Sequence, residues 1–373
     1  MHSRGDSVEI TEEIISAAVQ NTYSGHRVLK ILLDRYEDDV PVTDDVLRLA
    51  ASNDRRGDKI VEILLKKRRR DIRVTREIFK AAAHNPNCGH RVIATILDNR
   101  DGVDDEDGEV SVALQKAIYI ASSKGIGDTV QVLLKNKADV NVEGGWLGNA
   151  LHAASYSGFS WIVRILLLNS AQVNCEGGRF GHALQAASVG GHLQIIRTLL
   201  QHNAEINAQG GLYNTALQAA SAHGYEEIVQ FLLQSNADVN AQGGIYSTAL
   251  YAASFEGHYG IVQILVQNNA DVNIPGGVFG NALQAASSEG HLKIAQLLLE
   301  NGGDPSWDTG FYGSSLQAAS AGGHTELVSF LYDEYNVDLN CSNGSFARTA
   351  LSYAASGGNS SVVQLLLTYA DMV

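Results

Sequence analysis

Four histidines recur at matching positions and are the side chains in this sequence that most readily suggest chemistry. Each follows a glycine, and the set is His192, His258, His291 and His324. Imidazole nitrogens bind zinc at about 2 Å, whereas members of this set are separated by at least one 33-residue period, roughly 10 Å in a stacked array. We therefore expect these histidines to form structural hydrogen bonds, and we expect no metal site.

Glycine motifs and catalytic signatures give no stronger indication of chemistry. The pattern GGxxG occurs at Gly144, Gly177 and Gly276, but it is not the GxGxxG of a nucleotide fold, and its regular recurrence indicates turns. The sequence has no HExxH, GxSxG, CxxC or GxxxxGK[ST] motif, and its acidic residues are spread along the chain. We expect no catalytic residue and no cofactor, and hence no enzyme. An enzyme within the first 110 residues stays open as an alternative, which a converging set of buried titratable groups would favour.

Two charged runs have a structural and a functional interpretation each. The run Lys66, Lys67, Arg68, Arg69, Arg70 lies at a predicted helix end, where cations complement the helix dipole, but it also resembles a nuclear-import or anion-binding patch. The segment Asp101–Glu109 is predicted to be a solvated acidic linker, with a calcium site as the alternative. The protein is therefore expected to be intracellular, most simply cytoplasmic, with the nucleus as the second possibility.

Overall charge argues against several classes of partner. The chain has 27 Lys and Arg against 41 Asp and Glu, a net charge of −14. Direct nucleic-acid binding depends on basic side chains that displace counterions, so it is not expected. No run of about eighteen apolar residues and no signal-peptide core is present, which predicts no membrane partner. The three cysteines suit a reducing compartment.

A repeated hexapeptide shows how these residues must be positioned. Versions of ALxAAS begin at Ala150, Ala183, Ala216, Ala249, Ala282, Ser315 and Ala350, and five of the six intervals are 33 residues. A fixed period of this length indicates stacked repeats that bury their apolar faces against one another. The repeat at Asn207–Asn240 predicts a thin alanine-rich helix, a break at Gly224, a second helix over Ile228–Leu233, and a hairpin whose turn is the glycine pair Gly210-Gly211.

Upstream, the period changes to 32 residues. Three helix pairs begin at Ile10-Thr-Glu-Glu13, Val42-Thr-Asp-Asp45 and Val74-Thr-Arg-Glu77. A threonine before acidic residues is typical of a helix N-cap, so we expect Thr11, Thr43 and Thr75 to be caps.

The 33-residue repeats resemble ankyrin repeats. The resemblance rests on AASVGGH at 186–192 and IVQFLLQSNADVN at 228–240. It implies an all-α ankyrin-repeat solenoid with projecting β-hairpin loops: about eight repeats over 110–373, preceded by three degenerate 32-residue helical repeats over 1–100 and the acidic linker 101–109. Where ankyrin repeats usually carry Thr-Pro-Leu-His, residues 215–218 read Thr-Ala-Leu-Gln, which puts the usual hydrogen bonds at this helix start in question. The order of the two repeat types along the chain, 32-residue repeats followed by 33-residue repeats, also resembles that in the C-terminal arms of filamentous-fungal NACHT proteins.

The resemblance implies binding through the hairpin tips and the exposed face of the first helix. The matching positions at the tips are Trp146, Arg179, Leu212, Ile245, Val278 and Phe311, beside the aromatic column Tyr213, Tyr246, Phe279 and Tyr312. The matching positions on the helix face are Tyr156, His223, Phe255, Glu256 and Glu289. Aromatic residues ordered along one face suit a protein interface, but the column could instead pack hairpin on hairpin.

These observations predict a non-catalytic protein–protein interaction scaffold, a ligand-sensing or partner-recognition arm. The expected partner is another protein, with no small-molecule substrate; the alternative is a transcription coregulator in the nucleus. The last repeat ends in LLLTYADMV without a polar closing helix, so we expect either a further segment or partial exposure of Val362, Val363 and Leu366.

Overall fold

The computed structural model describes residues 9–36, 40–68, 74–99 and 109–371, and the regular elements in these ranges are all α-helices. The helices are α1 (Glu12–Gln20), α2 (Gly25–Arg35), α3 (Asp44–Ser52), α4 (Gly57–Arg68), α5 (Arg76–Ala83), α6 (Gly89–Asp98), α7 (Glu109–Lys124), α8 (Gly127–Lys135), α9 (Ala150–Ser157), α10 (Ser160–Leu168), α11 (Ala183–Val189), α12 (Leu193–Gln201), α13 (Ala216–Ala222), α14 (Glu226–Gln234), α15 (Ala249–Phe255), α16 (Tyr259–Gln267), α17 (Ala282–Ser288), α18 (Leu292–Glu300), α19 (Ser315–Gly322), α20 (Thr325–Tyr335), α21 (Ala350–Ser356) and α22 (Ser360–Ala370).

The chain forms two compact units, Met1–Gly178 (unit 1) and Arg179–Val373 (unit 2). Within each unit the helices form pairs along the chain. Each odd-numbered helix packs on the next odd-numbered helix, from α1 to α9 in unit 1 and from α11 to α21 in unit 2. Each helix pair therefore buries its apolar surface against its neighbours, and each unit is an all-α repeat solenoid, as the periodicity predicts.

The repeat at 207–240 shows why the sequence folds this way. All seven residues of α13 are buried, because alanine and serine allow adjacent helices to approach closely. Gly224 has a φ of +78°, which a residue with a side chain rarely adopts, and it separates the two helices. In α14 the residues Ile228, Val229 and Leu232 are buried on one side. The helix–turn–helix prediction is confirmed.

The predicted turn chemistry is wrong in one respect. Gly210 forms an antiparallel bridge with Asn214, so the glycine pair does not make a two-residue turn. Gly211, with a φ of +63°, begins the tip, and Leu212 and Tyr213 form it. The bridges Gly243–Ser247 and Gly276–Gly280 have the same five-residue form. The reason is that Asn214 also takes a left-handed conformation, with a φ of +70°, and closes the loop further along the chain.

Asparagines of the ADVN motif connect successive loops in unit 2. The Asn240 Oδ1 accepts a hydrogen bond from the amide of Asp271 at 2.9 Å, and its Nδ2 donates to the carbonyl of Asn269 at 3.3 Å. Asn207 and Asn273 make the equivalent pair of contacts. Each loop is thus held by the preceding one, 29 to 31 residues away.

The threonine caps are partly as predicted. Thr11, Thr43 and Thr75 occupy the N-cap positions of α1, α3 and α5. The hydroxyl of Thr43 accepts from the amide of Val46, whereas the side chains of Thr11 and Thr75 make no capping hydrogen bond. The sequence locates the helix start, but the rotamer that forms the bond depends on packing.

Several predicted features lie outside the described residues. Of the acidic segment Asp101–Glu109 only Glu109 is described, as the first residue of α7, so the linker, its calcium alternative and the domain boundaries stay predictions. Arg69 and Arg70 of the basic run also lie outside the described residues. At the carboxyl-terminal end, Val362 and Leu366 are buried and Val363 is half-buried, so the expected exposure applies only to Val363.

Candidate protein-binding surface

The hairpin tips of unit 2 are joined through their main chains. The amide of Leu212 donates to the carbonyl of Arg179 at 2.9 Å, and the amide of Ile245 donates to the carbonyl of Leu212 at 3.1 Å. The same contact joins Phe311 to Val278 at 3.2 Å. These bonds order the tips while the side chains stay accessible: Ile245 is 48%, Val278 62% and Phe311 36% exposed.

In four repeats of unit 2 a buried glutamine fixes the next hairpin to the first helix. The Gln218 Oε1 accepts from the Thr215 amide at 2.9 Å, completing a capping box, and its Nε2 donates to the carbonyls of Gly243 at 3.0 Å and Ser247 at 2.6 Å. Equivalent bonds from the side-chain amide to the next hairpin are made by Gln185, Gln284 and Gln317. The glutamine therefore connects neighbouring repeats.

Other residue types at the position equivalent to Gln218 make similar contacts with the next hairpin. In unit 1, His152 contacts the N-cap Asn149 and places its Nε2 3.1 Å from the carbonyl of Cys175. In unit 2, the hydroxyl of Tyr251 accepts a hydrogen bond from the amide of Phe279 at 3.1 Å. The departure from Thr-Pro-Leu-His thus changes the residue and keeps a contact between the first helix and the next hairpin.

The aromatic residues of unit 2 form a stack, which we call the aromatic ladder: Phe180, Tyr213, Tyr246, Phe255, Phe279, Tyr312 and Tyr353. Ring centroids of Tyr213 and Tyr246 are 6.1 Å apart, and those of Phe279 and Tyr312 are 5.5 Å apart with nearly parallel planes. Phe255 lies between Tyr246 and Phe279, at 6.0 and 5.7 Å. Such spacings are those of stabilising aromatic pairs, so the column residues do pack hairpin on hairpin. Phe180 and Tyr353 are buried, and the other five ladder residues are half-buried.

Hydrogen bonds hold two of the ladder tyrosines. The Tyr246 hydroxyl donates to the Glu256 carboxylate at 2.6 Å. Burial of the ring, reinforced by this carboxylate, raises the pKa of Tyr246 above its ordinary value. The Tyr213 hydroxyl lies 3.5 Å from the Nε2 of His223, whose Nδ1 lies 2.9 Å from the carbonyl of Ala219 and must donate to it. The predicted helix-face residues His223, Phe255 and Glu256 therefore contact the predicted tip residues.

At the carboxyl-terminal side of the ladder the rings are more accessible. Phe311 packs edge-on against Tyr312 at 4.9 Å and against Phe346 at 5.4 Å. Phe346 is 55% exposed, and the guanidinium of Arg348 lies over its ring at 5.4 Å. We call the exposed residues Phe311, Phe346 and Arg348, together with the half-buried Tyr312, the exposed aromatic patch. Unlike the rest of the ladder, it presents two phenylalanine rings to solvent.

Sequence reasoning missed Phe180, Phe346 and Tyr353. Phe180 lies one 33-residue period before Tyr213, a signal that could have identified it. Phe346 falls in the one hairpin whose interval is 35 residues, between Ser315 and Ala350, so the fixed period does not align it. Tyr353 stands where the other first helices carry alanine, and its ring contacts Tyr312 at 5.3 Å.

The remaining predicted residues lie at the end of unit 1 and the start of unit 2. In unit 1, Trp146 is 58% exposed and packs edge-on against Tyr156, with ring centroids 6.2 Å apart. In unit 2, Arg179 is exposed. The contact between Trp146 and Tyr156 again joins a hairpin tip to a first helix.

Three of the four recurring histidines, His258, His291 and His324, make hydrogen-bond contacts with the main chain, as expected. The Nε2 atoms of His258, His291 and His324 lie 3.2, 3.1 and 2.9 Å from carbonyls at the end of the preceding repeat's first helix. Among the described residues, no group of three or more His, Cys, Asp and Glu side chains is arranged to hold a metal ion.

Unit 2, which carries the patch, is acidic in its overall composition. Unit 2 contains 4 Lys and Arg against 15 Asp and Glu in its sequence. Glu256 and Glu289 are exposed on the first-helix face. In unit 1, the described lysines of the basic run are engaged: Lys66 pairs with Glu62 at 2.5 Å and Lys67 with Asp34 at 3.2 Å.

Comparison with known families agrees with this architecture. A model described as ankyrin repeats (3 copies) matches residues 78–177, 151–243, 184–276, 243–309 and 282–373, and the chain therefore belongs to the ankyrin-repeat family. Residues 2–28, 31–60 and 63–92 match a domain of unknown function (DUF7104), one match for each 32-residue helix pair. No curated protein matches the chain. Residues 78–92 are shared by the two families, so the helix pair α5 and α6 has features of both.

Ankyrin repeats generally mediate protein–protein interaction, and proteins built from them are generally non-catalytic. In the part of the chain that the structure describes, no helix combines the length and the apolar character that crossing a bilayer requires.

Proposed function

We propose that this chain is a non-catalytic recognition scaffold that binds a partner protein through the exposed aromatic patch of unit 2. The observation that carries the proposal is the exposure of Phe311 and Phe346 beside an ordered stack of rings. Rigid aromatic side chains bind with little loss of conformational entropy, and they are enriched at the energetic centres of interfaces.

The acidic composition of unit 2 suggests the chemistry of the partner. Glu289 and Asp308 are exposed in unit 2, which is strongly acidic overall. A partner with an aliphatic or aromatic anchor and lysine or arginine residues at its rim would complement both features. Leu212, Ile245 and Val278 extend the accessible tip surface toward the amino-terminal part of unit 2.

The test combines partner identification with a matched pair of variants. The wild-type chain is used as bait, its partners are identified by mass spectrometry, and the affinity of the main partner is measured with purified proteins. Replacement of Phe311 and Phe346 by alanine should weaken binding by roughly a hundredfold, since interface hot spots contribute about 2 kcal/mol or more. The control replaces Trp161 and Leu168 of unit 1, which are 44% and 80% exposed, by alanine. Equal affinity of the Phe311/Phe346 variant and the wild type would contradict the proposal.

The role as a recognition arm and the location inside the cell are parts of the same proposal. The resemblance to the repeat arms of fungal NACHT proteins supports recognition, and three free cysteines support a reducing compartment. Fluorescent tagging tests the location: a nuclear signal that disappears when Lys67 is replaced together with Arg68, Arg69 and Arg70 would favour the coregulator alternative.

A further inference from the structure

Three loops in unit 1 lie one above the other and are ordered by the same pattern of asparagine hydrogen bonds. Each loop joins the two helices of a 32-residue pair and begins with asparagine: Asn21, Asn53 or Asn85. The Oδ1 of each asparagine accepts hydrogen bonds from the amides two and three residues later, at 2.9 to 3.2 Å. The Nδ2 of Asn53 and that of Asn85 also donate to carbonyls of the preceding pair. The loops are thus fixed relative to one another.

These loops and the helix starts after them carry an unusual concentration of positive charge for so acidic a chain. The basic side chains are Arg27, Arg55, Arg56, Lys59 and Arg91, which together with Tyr23 we call the basic loop surface. Arg91 pairs with Asp58 at 3.0 Å. Within the residues that the structure describes, Arg27, Arg56 and Lys59 form no salt bridge, so their charges are uncompensated by direct contact.

The electrostatic environment of these loops reflects the surplus of positive charge. The pKa of His26, in the first turn of α2, is lowered by burial and then by the nearby cations Arg56, Lys59 and Arg27. Helices α2, α4 and α6 all begin at this side, at Gly25, Gly57 and Gly89. The positive ends of their dipoles add to the attraction for an anion.

A groove gives the surface a shape that a ligand can occupy. It has a volume of about 440 Å³ and is lined by residues of all three loops, including Tyr23, Arg55, Arg56, Asn87 and Arg91. Tyr23 is 71% exposed, and the Arg55 guanidinium lies over its ring at 5.0 Å. The groove therefore combines guanidinium groups with an accessible aromatic face.

The spacing of the cations distinguishes between anionic partners. Arg27, Lys59 and Arg91 occupy the same position in three consecutive helix pairs, so they recur about every 10 Å. A peptide in the extended polyproline II conformation rises about 3.1 Å per residue with three residues per turn, so acidic residues at every third position lie on one face with nearly the same spacing. A nucleic acid would bring a denser row of phosphates against a chain with a net charge of −14 and against Asp54 within the surface.

We propose that the basic loop surface binds an extended acidic peptide segment of a partner protein, with carboxylates at about every third residue. This site is independent of the exposed aromatic patch and would give the chain a second point of attachment. Carboxylates would pair with Arg27, Lys59 and Arg91, the last in exchange for its contact with Asp58. Arg56 adds positive charge beside Arg27 and Lys59, and an apolar residue of the peptide would cover Tyr23.

The experiment measures binding of a fluorescent peptide to the full chain by anisotropy. The probe has three glutamates at every third position, which spans about 20 Å in the polyproline II conformation, separated by serine and glycine. A peptide of the same composition with its glutamates adjacent serves as the comparison. We expect the spaced peptide to bind more tightly and its affinity to fall with added salt, because exposed charges are screened. Equal binding of both peptides, or no binding of either, overturns the proposal.

Matched variants locate the site. Combined replacement of Arg27, Arg56 and Lys59 by glutamine should weaken binding of the spaced peptide by roughly tenfold or more, given the energy of exposed charge pairs. The control removes the same charge elsewhere in these helix pairs, with Lys30→Gln, Arg35→Gln and Lys66→Gln, and should leave the affinity within about twofold. Equal loss in the two variants overturns the proposal. So does preferential binding of duplex DNA or anionic vesicles over the spaced peptide.

Discussion

Replacing Gln218 by alanine should weaken the contact between two neighbouring repeats and so lower the free energy of unfolding. The side chain is 1% exposed, accepts from the Thr215 amide, and donates to carbonyls of the next hairpin at Gly243 and Ser247. Ser247 keeps a second hydrogen bond, from the amide of Gly243. The carbonyl of Gly243 is therefore the group most affected by the loss of the glutamine.

The magnitude follows from these contacts. Loss of the capping interaction costs about 1 kcal/mol, and a partly buried carbonyl that loses its partner costs about 1 to 3 kcal/mol. We expect Gln218→Ala to lower the free energy of unfolding by about 2 to 4 kcal/mol. Gln218→His should restore part of this loss, because His152 in unit 1 makes both kinds of contact from the same position.

Urea unfolding followed by circular dichroism measures the effect. The control is Gln230→Ala, which removes an exposed glutamine of α14 and should change the stability by less than about 0.5 kcal/mol. Hydrogen exchange of the hairpin amides at 243–247 should increase in Gln218→Ala more than exchange in α22 does, because repeats interact only with their neighbours. The reasoning is refuted if Gln218→Ala matches the control, or if the histidine variant is no better than alanine.

Two further predictions concern the contacts between repeats. His291→Ala should lower the free energy of unfolding by about 1 kcal/mol, because it removes the contact of Nε2 with the Phe255 carbonyl. His291→Asn should lose less, because Asn359, at the same position two repeats later, donates to carbonyls of the preceding first helix. Thermal melting compares the two variants, and equal losses would contradict this prediction. The raised pKa of Tyr246 stabilises the fold below pH 10, the ordinary tyrosine value, and this contribution declines at higher pH, where the unfolded chain releases the proton first. Tyr246→Phe should therefore make stability fall less steeply above about pH 10, and an unchanged slope in urea titrations would contradict it.

The sequence predicts some features of the candidate site better than others. The positions of Tyr213, Tyr246, Phe279 and Tyr312 follow from the 33-residue period, so their alignment in one column could be predicted. The period could not show that Phe255 fills the space between Tyr246 and Phe279, because that contact joins a helix to two hairpins. Likewise, the fixed period failed for Phe346, where the chain inserts two residues.

By itself the sequence determined the helix pairs, the breaks at Gly224 and its equivalents, and the buried alanine faces. These depend on periodicity and backbone preference within a few residues of one another. Only the tertiary structure decided where the hairpin turns, which threonine hydroxyl forms a cap, and how Gln218 contacts a carbonyl 25 residues away. It also brought Arg55, Arg56 and Arg91 to one groove. Such contacts depend on the stacking distance between repeats and on side-chain rotamers, which local sequence patterns do not specify.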